Sequence, residues 1–167
     1  MPVPMRPLFY LAFLSFCFLF ASCMPDHCKD TVCDYGGVCI DGHCSCLNGY
    51  EGAKCDELWN ARFLGNWNSK DKVVGGELTT EYEISLVSNG DPSQFLLMNL
   101  GNGVDSVLCR RKGYYEFAML EGQNPDSNTM IASGSGVIDT TGKTVTAKYT
   151  IQTEDTTLSY NMTWTKE

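Results

Sequence analysis

The sequence predicts a mainly β protein in two parts, a small cysteine-rich module over residues 28–55 and an eight-stranded antiparallel domain over 58–167. Three observations carry this. Six cysteines crowd the first part at the spacing C-x4-C-x5-C-x4-C-x-C-x8-C, in a segment too short to hold itself together by burying apolar surface. In the second part apolar residues recur every two positions, the period of a half-buried strand. Gly, Asn, Asp and Pro punctuate those runs at hairpin-length intervals, and no stretch has a helical period.

The chain opens on a targeting segment. Arg6 supplies a short positive start, and Leu8 to Ala21 is an apolar run broken only by Ser15. That run is short for a membrane span and fits the core of a signal peptide, which assigns residues 1–22 to a leader. Phe20-Ala21-Ser22-Cys23 resembles a bacterial lipobox, with Phe20 in the place usually held by Leu. The resemblance implies that Cys23 becomes the first mature residue, carries lipid, and ties the protein to a membrane with residues 23–27 as linker. Several acyl chains would make that anchor durable where a single chain would not. The alternative is a secreted protein without lipid.

The module runs from Cys28 to Cys55 through Cys33, Cys39, Cys44 and Cys46. Six thiols allow 15 pairings, and spacing alone does not choose among them. A zinc cluster with His27 and His43 is the competing use of these residues, but two C-x2-C knuckles are lacking and an exported chain favours oxidised sulfur. The run Cys33-Asp-Tyr-Gly-Gly-Val-Cys39, with Cys44-Ser-Cys46 and the ending Cys46-Leu-Asn-Gly-Tyr-Glu-Gly-Ala-Lys-Cys55, resembles an EGF-like module. That resemblance implies the pairs Cys28 with Cys39, Cys33 with Cys44, and Cys46 with Cys55. Calcium-binding modules of this kind carry an acidic or amide run before the first cysteine; here Met24-Pro25-Asp26-His27 offers Asp26 alone, a poor oxygen cage.

From Leu58 onward the composition shifts to Thr, Gly, Tyr and Val. Leu158, Tyr160, Met162 and Trp164 alternate with polar residues, as do Val145, Ala147, Tyr149 and Ile151, and Tyr82, Ile84 and Leu86. Breakers at Asn89-Gly90-Asp91-Pro92, Gly101-Asn102-Gly103, Asn124-Pro125-Asp126 and Thr141-Gly142-Lys143 separate the runs. The expected strands cover 63–69, 81–88, 94–100, 105–111, 114–121, 129–138, 143–153 and 157–166. Such a succession closes as an up-and-down barrel or stacks as a β-sandwich. Phe63-Leu64-Gly65-Asn66-Trp67 resembles the G-x-W opening of lipocalin-like (calycin-like) barrels, which implies a barrel with Trp67 plugging one end. An EGF-like module joined to such a barrel resembles, in architecture, the small envelope lipoproteins of Bacteroidetes-type bacteria. The resemblance implies a cell-envelope location, lipid-anchored at the outer membrane, with the module as a stalk.

For function, Trp67, Tyr82, Ile84, Leu86, Tyr149, Ile151, Tyr160, Met162 and Trp164 are the candidate ligand-lining residues, because an eight-strand barrel either fills with side chains or holds one small ligand. These residues equally make an ordinary core, which would leave a structural envelope protein with a solid barrel. Catalysis gets little support: the barrel domain has no histidine for a nucleophile pair, and Glu116, Glu121, Asp139 and Glu154 form no recognisable acid–base couple. The expected protein is non-enzymatic, without cofactor or metal, and binds a small apolar ligand or a surface protein or glycan. Cys109 precedes Arg110-Arg111-Lys112, a setting that can activate a thiol, with a buried cysteine as the alternative. A formal charge of −8 disfavours nucleic acid. Asp30-Thr31, Asp105-Ser106, Asp139-Thr140 and Asp155-Thr156 are similar to a short O-glycosylation acceptor pattern of such bacteria, which implies modification at Thr31, Ser106, Thr140 and Thr156.

Overall fold

The structure, a computed structural model, describes residues 26–166; the expected leader and the lipidation candidate Cys23 lie outside the described residues. The cysteine-rich part contains two small antiparallel sheets. One pairs β1 (Val38–Ile40) with β2 (His43–Ser45), and the other pairs β3 (Tyr50–Glu51) with β4 (Glu57–Leu58). Three disulfides hold them: Cys28–Cys39, Cys33–Cys44 and Cys46–Cys55. Their sequence separations of 11, 11 and 9 residues correspond, on the loop-entropy model, to about 3 kcal/mol each. Covalent closure is needed here because Val32, Val38, Ile40 and Leu47, the module's larger aliphatic side chains, are exposed.

The rest is a closed barrel of eight antiparallel strands: β5 (Gly65–Val73), β6 (Thr79–Val87), β7 (Gln94–Leu100), β8 (Val104–Arg111), β9 (Glu116–Met119), β10 (Met130–Ile138), β11 (Thr144–Gln152) and β12 (Thr157–Lys166). Every strand pairs with its neighbours in sequence, and β12 closes on β5 with Trp164 opposite Ser69 and Tyr160 opposite Val73. This is the up-and-down barrel, not the sandwich. Closure leaves no sheet edge in need of cover.

Alternation decides which residues face in. Trp67, Ile84, Leu86, Phe95, Leu97, Phe117, Val145, Met162 and Trp164 form one buried core, and their sequence neighbours Asn66, Glu83, Thr146, Asn161, Thr163 and Thr165 are exposed. A membrane-spanning barrel shows the reverse pattern, with an apolar band outward. Among the described residues no helix is long and apolar enough to cross a membrane. The core is crowded enough to require glycine on β10. A Cβ at Gly136 would lie 2.4 Å from the Phe117 ring, and one at Gly134 2.3 Å from the sulfur of Met119. Phe117 uses that space to stack on Trp164, with ring centroids 5.5 Å apart.

Two expected strands are displaced. The first runs Gly65–Val73 rather than 63–69, because residues 60–64 turn tightly, with Phe63 N–H donating to the Asn60 carbonyl and Leu64 N–H to that of Ala61. The fifth is only Glu116–Met119, since the chain turns over 113–116, with Glu116 N–H donating to the Gly113 carbonyl, and the rings of Tyr114 and Tyr115 pack edge to face on each other.

The module is seated on the barrel. Glu51 of β3 takes hydrogen bonds from Arg62 and from Arg111 at the end of β8, the latter at 3.0 Å, and all three side chains are mostly buried. Arg62 lies 3.3 Å from the centroid of the Tyr114 ring, and Arg111 lies 5.0 Å from that of Trp59. Gly49 fits where no other residue would: its φ is +102°, and a Cβ there would lie 2.5 Å from Pro92 in the β6–β7 turn. Asn60, fully buried, donates to the carbonyls of Asp91 and Gln94. The sequence suggests a stalk; the structure makes the module a base, joined to the barrel by side chains far apart in the chain.

Candidate functional site

The two ends of the barrel differ. At the base, Phe63, Phe95, Phe117, Trp67 and Trp164 fill the interior with ring-to-ring contacts, and Trp67 donates its indole N–H to the Phe63 carbonyl at 3.0 Å. Trp67 therefore plugs the end on which the module sits. At the other end, reached by the far halves of β5, β6, β11 and β12, the interior opens into a cavity of about 320 Å³. The turn at 101–103 and the loop over 120–129 contribute to its rim through Gly101, Gly103 and Asp126.

Asp71 forms part of its lining. The alternation Trp67, Ser69, Asp71 carries β5 inward, so a carboxylate arrives where an aliphatic residue would ordinarily stand, 4% exposed. Three hydroxyls converge on it. Ser69 donates to Oδ1 at 2.7 Å, and Tyr82 and Tyr149 donate to Oδ2 at 2.5 and 2.8 Å. Tyr82 is itself fixed by the Gly101 N–H, which donates to its hydroxyl at 2.8 Å, and Tyr149 stacks on Tyr160 with centroids 4.7 Å apart and planes at 8°. Burial, reinforced by the Asp71 hydrogen bond and charge, raises the Tyr82 hydroxyl well above its ordinary value; burial, then the charges of Tyr82 and Asp71, does the same for Tyr149. Both stay neutral donors at any physiological pH. Among the described residues no ion pair reaches Asp71.

The nine ligand-lining candidates thus divide. Tyr82, Tyr149, Ile151 and Tyr160 surround the cavity, whereas Trp67, Ile84, Leu86, Met162 and Trp164 belong to the solid part of the core. Asp71, Ser69, Thr80 and Asp126 escape a reading based on hydrophobic alternation, because a polar residue facing inward leaves no apolar signal. Extending the parity of Trp67 by four residues along the strand is the step that finds Asp71.

Cys109 is not an activated thiol. It faces the barrel core with no exposure, its Sγ directed at the Val107 carbonyl, and burial pushes it up, away from thiolate. The adjacent positive charge is turned elsewhere, Arg110 to solvent and Arg111 to Glu51. Of the O-glycosylation candidates, Thr140 and Thr156 are exposed in turns, Thr31 is half-buried in the module and Ser106 half-buried on β8. Among the described residues no group of His, Cys, Asp and Glu is placed to hold a metal ion.

No family model matches the chain, and no curated protein matches it. Among solved structures it is similar to a crystal structure from Bacteroides fragilis described as that of a "putative outer membrane protein". The TM-score is 0.41 at 13% sequence identity, over 65% of this chain and 52% of that one, so the chain spans about half that protein's length.

Proposed function

We propose that this is a non-enzymatic cell-envelope lipoprotein, in which an EGF-like base carries a lipocalin-like barrel that takes a small ligand into its open mouth. The observation that carries the reading is the cavity of about 320 Å³ at the end of the barrel opposite the module. It lies at the low end of the range for small-molecule sites and combines apolar walls with a few convergent polar groups. Tethering through Cys23 would place the anchor on the module side, with the mouth turned away from it and toward incoming ligand. The polar outer face of the barrel supports a body held in water rather than inserted in lipid. Cell-envelope localisation rests on the lipobox resemblance at Phe20-Ala21-Ser22-Cys23.

The test is native mass spectrometry of the protein purified from its own host. A mature chain beginning at an acylated Cys23 and carrying a bound small molecule supports the proposal. A mass matching the unmodified polypeptide alone, with the mouth empty, removes it and leaves a structural barrel.

A further inference from the structure

We propose that the mouth is a site for small organic cations, with an ammonium group recognised by Asp71 and by the faces of Tyr82, Tyr149 and Tyr160. The inference rests on the ligand-binding reading above and names its ligand class.

The first argument is charge. The cavity is lined by two carboxylates, Asp71 and Asp126, and by no Lys, Arg or His. An anion entering it would meet uncompensated negative charge in a confined, partly dehydrated space, and a cation would meet the opposite. Buried carboxylates in folded proteins are ordinarily paired with a cation, and Asp71 has none among the described residues. Three hydroxyl donors hold it in its place, and hydroxyls solvate a charge without neutralising it.

The second argument is acceptor capacity. A carboxylate offers about four lone-pair positions. Among the described residues, Oδ2 receives Tyr82 and Tyr149, and Oδ1 receives Ser69. One acceptor position on Oδ1 is left, which suits a charge-assisted N–H donor.

The third argument is the walls. Tyr82, Tyr149 and Tyr160 all line the cavity, and the stacking of Tyr149 on Tyr160 leaves each of those two rings one face not covered by the other. Aromatic faces attract ammonium groups, most strongly where water is displaced. Ile151 and Val104 complete the lining with apolar surface for the body of the ligand. An alcohol or sugar could use the hydroxyls, but it would leave the charge of Asp71 unanswered.

The experiment is calorimetric titration of the folded, oxidised mature chain with benzylamine and benzyltrimethylammonium, against benzyl alcohol and benzoate as neutral and anionic counterparts. The amines are expected to bind at least tenfold more tightly than the alcohol, with no binding of benzoate. Asp71→Asn keeps the volume and is expected to weaken amine binding at least tenfold. Asp126→Asn, at the rim and outside the core, is expected to weaken it several-fold and keeps the test informative if the Asp71 variant does not fold. Alcohol and amine binding with equal affinity would overturn the cation assignment while leaving a ligand-binding mouth. Amine binding untouched by both substitutions would overturn it as well, as would sodium or calcium chloride competing with the amines at equal concentration. Absence of binding by all four probes, in protein whose native mass shows a resident ligand of neutral or acidic type, would sink the cation class and spare the mouth.

Discussion

Replacing Glu51 with alanine tests how the two parts of the molecule are joined. Glu51 accepts from two guanidinium groups, and the three side chains are only 13–15% exposed. A hydrogen bond to a charged group is worth about 1.5–3 kcal/mol, and removing one partner of a buried ion pair costs about 3–5 kcal/mol because the other charge stays behind. Here Arg62 would keep the Tyr114 face and Arg111 the Trp59 face, and some water reaches both, so the lower end applies: a loss of about 3 kcal/mol. Urea denaturation of the oxidised protein, followed by tryptophan fluorescence, reads this as a lowered midpoint. Glu51→Ala with Arg111→Ala should then cost less than the sum of the single changes by about 1–2 kcal/mol, the signature of a shared contact. Trypsin should also cut after Arg62 faster in the Glu51 variant. A loss below about 0.5 kcal/mol with additive single changes, the behaviour of an exposed surface pair, would refute the seated base.

Three further outcomes follow from the core and the mouth. Gly136→Ala brings a Cβ to 2.4 Å from Phe117 and should destabilise by about 1–3 kcal/mol in the same denaturation assay, with Phe117→Leu in the same chain recovering part of the loss. Tyr82 and Tyr149 are raised in the folded state above the value of about 10 they have when unfolded, so the stability they contribute is complete below pH 10 and is lost as pH rises beyond it. An ultraviolet phenolate titration should show both ionising only as the barrel unfolds; two more tyrosines titrating near pH 10 in folded protein would contradict their contact with Asp71. Iodoacetamide should leave Cys109 untouched in the native protein and label it in denaturant, as read by intact mass, because the thiol is buried and held protonated.

Much of the fold was legible in the sequence, and the reason is the same throughout. In a barrel closed around an apolar core, every inward position must be occupied by a residue the core accepts, so Leu158 to Trp164 and Val145 to Ile151 announce both strand and face. Turn residues mark the hairpins because the chain has few other ways to reverse within two to five positions. Covalent constraints are visible too, and the bridges in the structure coincide with the pairing the EGF-like resemblance implies.

What escaped is what periodicity does not encode. The first strand, Gly-Asn-Trp-Asn-Ser-Lys-Asp-Lys-Val, is mostly polar, so its far half reads as loop, and with it went Asp71. Seating of the module depends on Glu51 meeting Arg111, 60 residues away, and nothing local to either residue signals the encounter. For Cys109 the local signal pointed the wrong way: Arg110, one position on, projects to the opposite face of the strand, and Arg111 is held by Glu51.

An even strand count has a consequence for how this molecule could diversify. β5 starts and β12 ends on the side of the module, so the hairpins at 74–78, 101–103 and 153–156, with the longer crossing at 120–129, belong wholly to the opposite rim. Each can be lengthened or exchanged without disturbing a terminus, a cystine or the salt-bridged joint. The chain therefore separates a braced foundation from four replaceable segments, and exchanging those segments would be the direct way to reshape the cavity.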